Sequence, residues 1–186
     1  MIVEFDAFDL INIAMYAERF HCVKVANQVP DVKKITTRYS SFAPHYLGAM
    51  GEFALRKGLG CSLDMTVTKL GSDIPDTIIK GWTAQIKTIT YVGRDAEIPI
   101  NSMEHFNAEI LVGVKILNPL TCCILGYIHK GKFMEVHKVK DYSYGNRLMV
   151  GAEDLLPINT LPEKYKGIVP PTRARTTLTD PFDWLV

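Results

Sequence analysis

The chain has 186 residues, 21 Lys and Arg against 20 Asp and Glu, 47% hydrophobic and 22% charged residues. That length suits one domain burying roughly 70% of its unfolded surface, and the composition excludes disordered and disulfide-dense classes. A net charge of +1 excludes the histone-like class that binds through bulk charge, so any nucleic-acid surface must be local.

The N-terminus MIVEFDAFDLINIAM carries acids where a secretory signal would carry Lys or Arg. No run of about 18 apolar residues marks a membrane span. The expectation is a cytoplasmic protein, in the host-cell cytoplasm if viral, with no membrane partner. Its four thiols, Cys22, Cys61, Cys122 and Cys123, are expected to be reduced. None forms a CxxC pair, and adjacent residues on a strand point to opposite faces, which argues against Cys122 and Cys123 sharing a zinc ion.

In chain order, apolar residues at helical spacing (Leu10, Ile13, Ala14, Ala17, Phe20) predict a helix from Phe8 to about Gln28, ended by Val29-Pro30-Asp31. Residues 31–41 are polar and irregular. A second helix is predicted from Phe42 to Lys57, with Pro44 in its first turn and Gly58 at its end. Ser62–Leu70 alternates as a half-buried strand, Gly71-Ser72 makes a turn, and a short segment Asp73–Ile79 follows. Trp82–Tyr91 is strand-like. Ala108–Leu117 and Thr121–Ile128 are apolar runs around Asn118-Pro119, as expected of central strands covered on both faces. Lys130–Lys140 reads as a short helix. The last stretch, with Pro157, Pro162, Pro170, Pro171 and Pro181, reads as an extended tail anchored by Phe182 and Trp184. Together these make one α/β domain with helices on a mixed sheet: an N-terminal helix and connector (1–41), a core (42–156) and a tail (157–186).

The informative region runs from Glu52 to Lys87. Glu52 lies on the second helix, Asp73 follows a Gly-Ser turn, and Gln85-Ile86-Lys87 lies on a strand. Period-2 alternation puts Gln85 and Lys87 on one face and Ile86 on the other. Two polar residues on one face of a strand near the sheet centre call for something polar to meet them.

In order and spacing, GEFALRKGLG, GSDIPD and AQIKT resemble the acidic helix, the metal-binding Asp and the E-x-K strand of the PD-(D/E)xK nuclease superfamily. FNAEILVGV and CCILGYIHKGKF resemble the following strands in its phage and RecB-like branches. The resemblance covers Gly51 to Tyr127. It implies a restriction-endonuclease-like fold and a Mg²⁺- or Mn²⁺-dependent deoxyribonuclease. It also implies Asp73, Glu52, Gln85 and the carbonyl of Ile86 as ligands of the ion, and Lys87 acting on the attacking water or the transition-state charge. Gln85 stands where the family has Glu or Asp, so the site carries one negative charge fewer. Glu52, and Glu109 if its strand turns that side chain inward, are the acids that would compensate. A second departure is that residues 92–107 hold only a short helical candidate, around Ser102–Phe106.

Other chemistries lack support. There is no GxGxxG or GxxxxGK[ST] loop, the five histidines have no HExxH spacing, and Ser40-Ser41 has no GxSxG context. A local basic stretch (Lys130, Lys132, Lys138 and Arg147, with His129, His137 and Lys140) is interleaved with Tyr127, Phe133, Tyr142 and Tyr144. It reads as a DNA-binding surface or as a solvated face. The compact size is similar to that of phage or mobile-element endonucleases and exonucleases, and cutting both strands calls for two sites, hence a homodimer on fold analogy. The alternative is a nuclease-like fold that has lost activity and serves as a nucleic-acid- or protein-binding module.

Overall fold

The computed structural model describes residues 1–26, 42–60, 75–90, 96–142 and 145–164. A short strand, β1 (Ile2–Glu4), precedes helix α1 (Ala7–Ala26). Asp6 and Asp9 start the helix by exchanging bonds. The Asp9 N–H donates to Asp6 Oδ1 at 2.9 Å and the Asp6 N–H to Asp9 Oδ2 at 3.0 Å, a capping box made of two aspartates. Ile13 and Ala17 are buried, with Leu10 and Tyr16 packed beside them.

Helix α2 (Ala43–Leu59) carries Pro44 in its first turn and continues past the expected end at Lys57, so that its cap is Gly60 rather than Gly58. Gly60 has φ 64°, a left-handed conformation that glycine adopts without strain, and its N–H bonds Arg56 O at 2.9 Å. Gly58 sits inside the last turn, where a Cβ would come 3.0 Å from Ile124 and Val3. Lys57 reaches back to Asp9 at 2.5 Å and ties the end of α2 to the start of α1.

The main sheet has the order β1-β6-β5-β3-β2. Strands β2 (Thr77–Ile79) and β3 (Trp82–Ile89) form a hairpin, as do β5 (Ile110–Asn118) and β6 (Thr121–His129). β3 and β5 run parallel, and β1 pairs antiparallel with β6. Ile110, Leu111, Val112 and Val114 of β5 are fully buried, as a strand covered on both faces requires. Ile110, Val112 and Val114 face the core shared with α1 and α2, while Leu111 faces a second core. A bulge moves the β5–β6 register from Gly113–Gly126 to Val114–Ile124, so Cys122 and Ile124 before it and Tyr127 after it all join the first core. Cys122 is buried and Cys123 half-buried, as opposite faces of a strand demand.

The second core lies under a three-stranded sheet absent from the sequence expectations: β4 (Glu97–Ile100), β8 (Gly145–Gly151) and β7 (Lys138–Tyr142), in the order β4-β8-β7. The helix expected over Lys130–Lys140 therefore stops early. Helix α3 spans Lys130–Val136, His137 is extended, and from Lys138 the chain pairs with β8, Val139 opposite Leu148. The helical candidate around Ser102–Phe106 is one 3-10 turn, Met103–His105.

The start of the expected tail is docked. Ile158 and Leu161 belong to the first core, and Trp82 Nε1 donates to Pro162 O at 2.9 Å. The strand Ser62–Leu70, the Gly71-Ser72 turn, and Phe182 and Trp184 lie outside the described residues. Among the described residues no helix is long and apolar enough to cross a membrane. The architecture is α/β, with two helices on one face of a mixed sheet and a small sheet with a short helix on the other.

Candidate active site

The site grows from the β2–β3 hairpin. Its turn is Lys80-Gly81, with φ of 50° and 85°. Positive φ at both central residues is the geometry that matches the twist of paired strands. The register follows: Thr77 pairs with Ala84 and Ile79 with Trp82. Asp76, one step before β2, is thereby brought opposite Gln85. Its Oδ2 accepts the N–H of Ile86 at 2.6 Å.

Along β3, Ala84 and Ile86 are buried against α2, and Gln85 and Lys87 are half-buried on the opposite face, as alternation predicted. The N–H and C=O of one strand residue point to the same edge. The carbonyl of Ile86 is therefore directed to the side on which Asp76 lies.

Glu52 arrives from α2, whose approach to β3 is very close. A Cβ at Gly51 would lie 2.0 Å from Thr88 Oγ1, so glycine at this position is what lets the helix settle on the strand. The next residue is Glu52. Burial pushes its carboxyl up to about 8, the negative charge of Asp76 adds to that, and a hydrogen bond from Tyr16 opposes it. Burial also raises Asp76, against the Ile86 N–H and the positive charge of Lys87, which favour the carboxylate. Lys87 is held below the usual lysine value by burial and by Arg147, against the pull of Asp76. Glu52, Asp76 and Lys87 thus form one coupled group around β3, and Arg147 of β8 joins it from the small sheet.

No protein-family model, curated protein or solved structure matches this chain.

Of the residues singled out from the sequence, Glu52 and Lys87 each come within electrostatic range of Asp76, the Ile86 carbonyl is directed to the Asp76 edge, and Gln85 lies beside Lys87 on the face of β3 away from α2. Asp73 lies outside the described residues, and the carboxylate that the structure places beside Lys87 is Asp76, which sequence reasoning missed. Two signals point to it: the Pro75-Asp76 pair before a short apolar strand, and the Lys80-Gly81 turn, from which counting back along the hairpin sets 76 against 85. Glu109 does not join the group. Its carboxylate accepts bonds from the Thr83 N–H and Oγ1, both at 3.1 Å, and pairs with Lys164.

The basic stretch divides into separate roles. Lys130 Nζ donates to Phe106 O at 2.5 Å and lies over the Phe106 ring, holding α3 to the second core. Lys132 pairs with Glu135 at 2.9 Å on the surface. Lys138 and Lys140 share one face of β7, and Lys140 is opposite Arg147 on β8, so these three basic residues share a face of the small sheet. Lys140 also pairs with Glu97.

Among the described residues no group of three or more His, Cys, Asp or Glu side chains is placed to hold a metal. The donors at β3 are two carboxylates, one side-chain amide and one backbone carbonyl. That set suits Mg²⁺, a hard cation held through one or two carboxylates while it keeps several waters. Two buried acids that both resist ionisation carry a charge conflict that a dication relieves. The residues fit such an ion.

Proposed function

We propose that this protein is a metal-dependent deoxyribonuclease of restriction-endonuclease-like fold, hydrolysing DNA phosphodiesters with Mg²⁺ or Mn²⁺. The observation that carries the reading is the Asp76 carboxylate bonded to the backbone of the strand that presents Lys87, with Glu52 interacting across it. Asp76, Glu52, the Gln85 amide oxygen and the Ile86 carbonyl would hold the ion. A bound dication neutralises charge on the scissile phosphate and lowers the pKa of the attacking water.

The chain's own residues supply the rest. Lys87, with its pKa depressed, accepts a proton from the attacking water more readily than an ordinary lysine does, and its cationic form stabilises the developing phosphate charge. The negative charge of Asp76 moderates the Lys87 pKa, and its carboxylate is held by the Ile86 N–H. Glu52 holds a proton near neutral pH unless positive charge reaches it. Arg147, with Lys138 on the same face of the small sheet, offers a path for the phosphate backbone next to Lys87. One departure from the family pattern is structural: between β3 and β5 the described residues hold β4 and a 3-10 turn where the fold expects a helix.

Gln85 favours a second reading, a nuclease-like module that binds nucleic acid or protein without cleaving it, because the amide withholds one negative charge from the ion. Incubating the purified protein with plasmid and with single-stranded DNA, in Mg²⁺, Mn²⁺ and EDTA, separates the two. Cleavage that requires metal and stops in EDTA supports the nuclease. Binding without cleavage under every condition supports the module.

A further inference from the structure

Helix α1 has two apolar faces, and only one of them is used inside the protein. Leu10, Ile13, Tyr16 and Ala17 pack on the first core. The opposite side shows Phe8 at 72%, Ile11 at 57%, Met15 at 67% and Val25 at 62% exposure, with Cys22 also exposed. Single exposed apolar residues are ordinary. These five are not scattered, because with Glu18 they occupy positions 8, 11, 15, 18, 22 and 25, a strict 3-4-3-4-3 spacing. That is the a/d pattern of a two-helix seam, apolar at every position but one, and no described residue covers it.

We infer that the outward face of α1 pairs with α1 of a second copy of this chain, antiparallel, across a two-fold axis. A self-complementary patch is what a two-fold dimer requires. Antiparallel pairing centred on the seam sets Phe8 against Val25, Ile11 against Cys22 and Met15 against Glu18 of the second copy. Charge selects this direction over the parallel one. Parallel copies in register would set Glu18 directly against Glu18, whereas antiparallel copies set it against Met15. Antiparallel pairing also brings Arg19 of the second copy within about one turn of Glu18, the one charged seam position. The helix dipoles then oppose each other favourably.

The size of the seam sets the strength of the dimer. A 20-residue helix is about 30 Å long, and two laid side by side bury about 1,000 Å² in total, the lower limit for a specific interface. The expected affinity is on the order of micromolar.

The test uses the full chain. Sedimentation velocity of the wild type over roughly 1–200 μM, a range spanning that affinity, should show a concentration-dependent shift from monomer to dimer. The variant I11E/M15E, altered only at exposed positions, should stay monomeric with an unchanged circular dichroism spectrum. For the register, the variant I11C should form an intermolecular disulfide between position 11 and Cys22 of the second copy under mild oxidation, mapped by peptide mass, and the additional change C22S should abolish it. A wild type that is monomeric throughout, or a dimer that persists in I11E/M15E, overturns the inference. A Cys22–Cys22 link in the wild type, with no link from position 11 to Cys22 in I11C, overturns the antiparallel register.

Discussion

Glu52→Gln tests the site without any substrate. Burial and Asp76 push the Glu52 carboxyl from 4.5 to about 8 in the folded protein, and unfolding returns it to the ordinary value. Between those two values the folded state keeps a proton that the unfolded state has released. Stability therefore falls as pH rises through this window, and the loss is complete above about 8. At about 1.4 kcal/mol per pH unit the ceiling is about 5 kcal/mol, and partial hydration and local rearrangement should reduce the effect to about 2–3 kcal/mol. For a chain of 186 residues, each kcal/mol moves Tm by about 2–4 °C. In EDTA the wild type should lose about 5–10 °C of Tm relative to Glu52→Gln between pH 5 and pH 8.5. The two proteins should agree near pH 5. Asp76 titrates in both and drops out of the comparison. Adding Mn²⁺ at pH 8 should raise the wild-type Tm more than that of the variant, because an ion that binds only the folded state stabilises it. Parallel Tm-versus-pH curves for the two proteins would refute the placement of Glu52 beside Asp76 in a buried site.

The same geometry sets three further expected outcomes. Asp76→Asn should abolish Mn²⁺ binding measured by calorimetric titration; equal affinity would put the ion elsewhere, with Asp73→Asn as the comparison. Gln85→Glu should tighten Mg²⁺ binding and keep cleavage, and Gln85→Ala should lose most activity, more severely in Mg²⁺ than in Mn²⁺, since Mg²⁺ gives up its waters reluctantly; wild-type cleavage by Gln85→Ala would show that the amide is not a ligand. Lys138→Ala with Arg147→Ala should weaken DNA binding and reduce its salt slope by about one per phosphate contact, whereas Lys130→Ala should lower Tm and leave the slope unchanged, because Lys130 is bonded to Phe106.

The parts of the fold that were legible in the sequence are those with one dominant period or an unbroken apolar run. The core side of α1 shows a period plainly, and so does the Gln85/Lys87 face of β3, while β5 and β6 were legible as continuous apolar runs. What stayed hidden depends on pairing across long separations. β4 is four residues with a proline, and it becomes a strand only because β8, some fifty residues later, lies beside it. Lys138–Tyr142 alternates lysines with Val139, a weak pattern that the preceding helix masked. The site was half legible for a similar reason. Lys87 and Gln85 show themselves by alternation, but choosing between Asp73 and Asp76 needs the hairpin register, and that rests on reading Lys80-Gly81 as a two-residue turn even though lysine seldom takes φ of 50°.

The central claim is that Lys87 and the acids around it form a hydrolytic centre. Its most direct test is metal-dependent DNA cleavage by the wild type and Lys87→Ala side by side, with circular dichroism confirming that both are folded. The wild type should cleave in Mg²⁺ or Mn²⁺ and stop in EDTA, and Lys87→Ala should be slower by at least about 100-fold, the contribution of a positioned general base. Equal cleavage rates in two folded proteins would contradict the account.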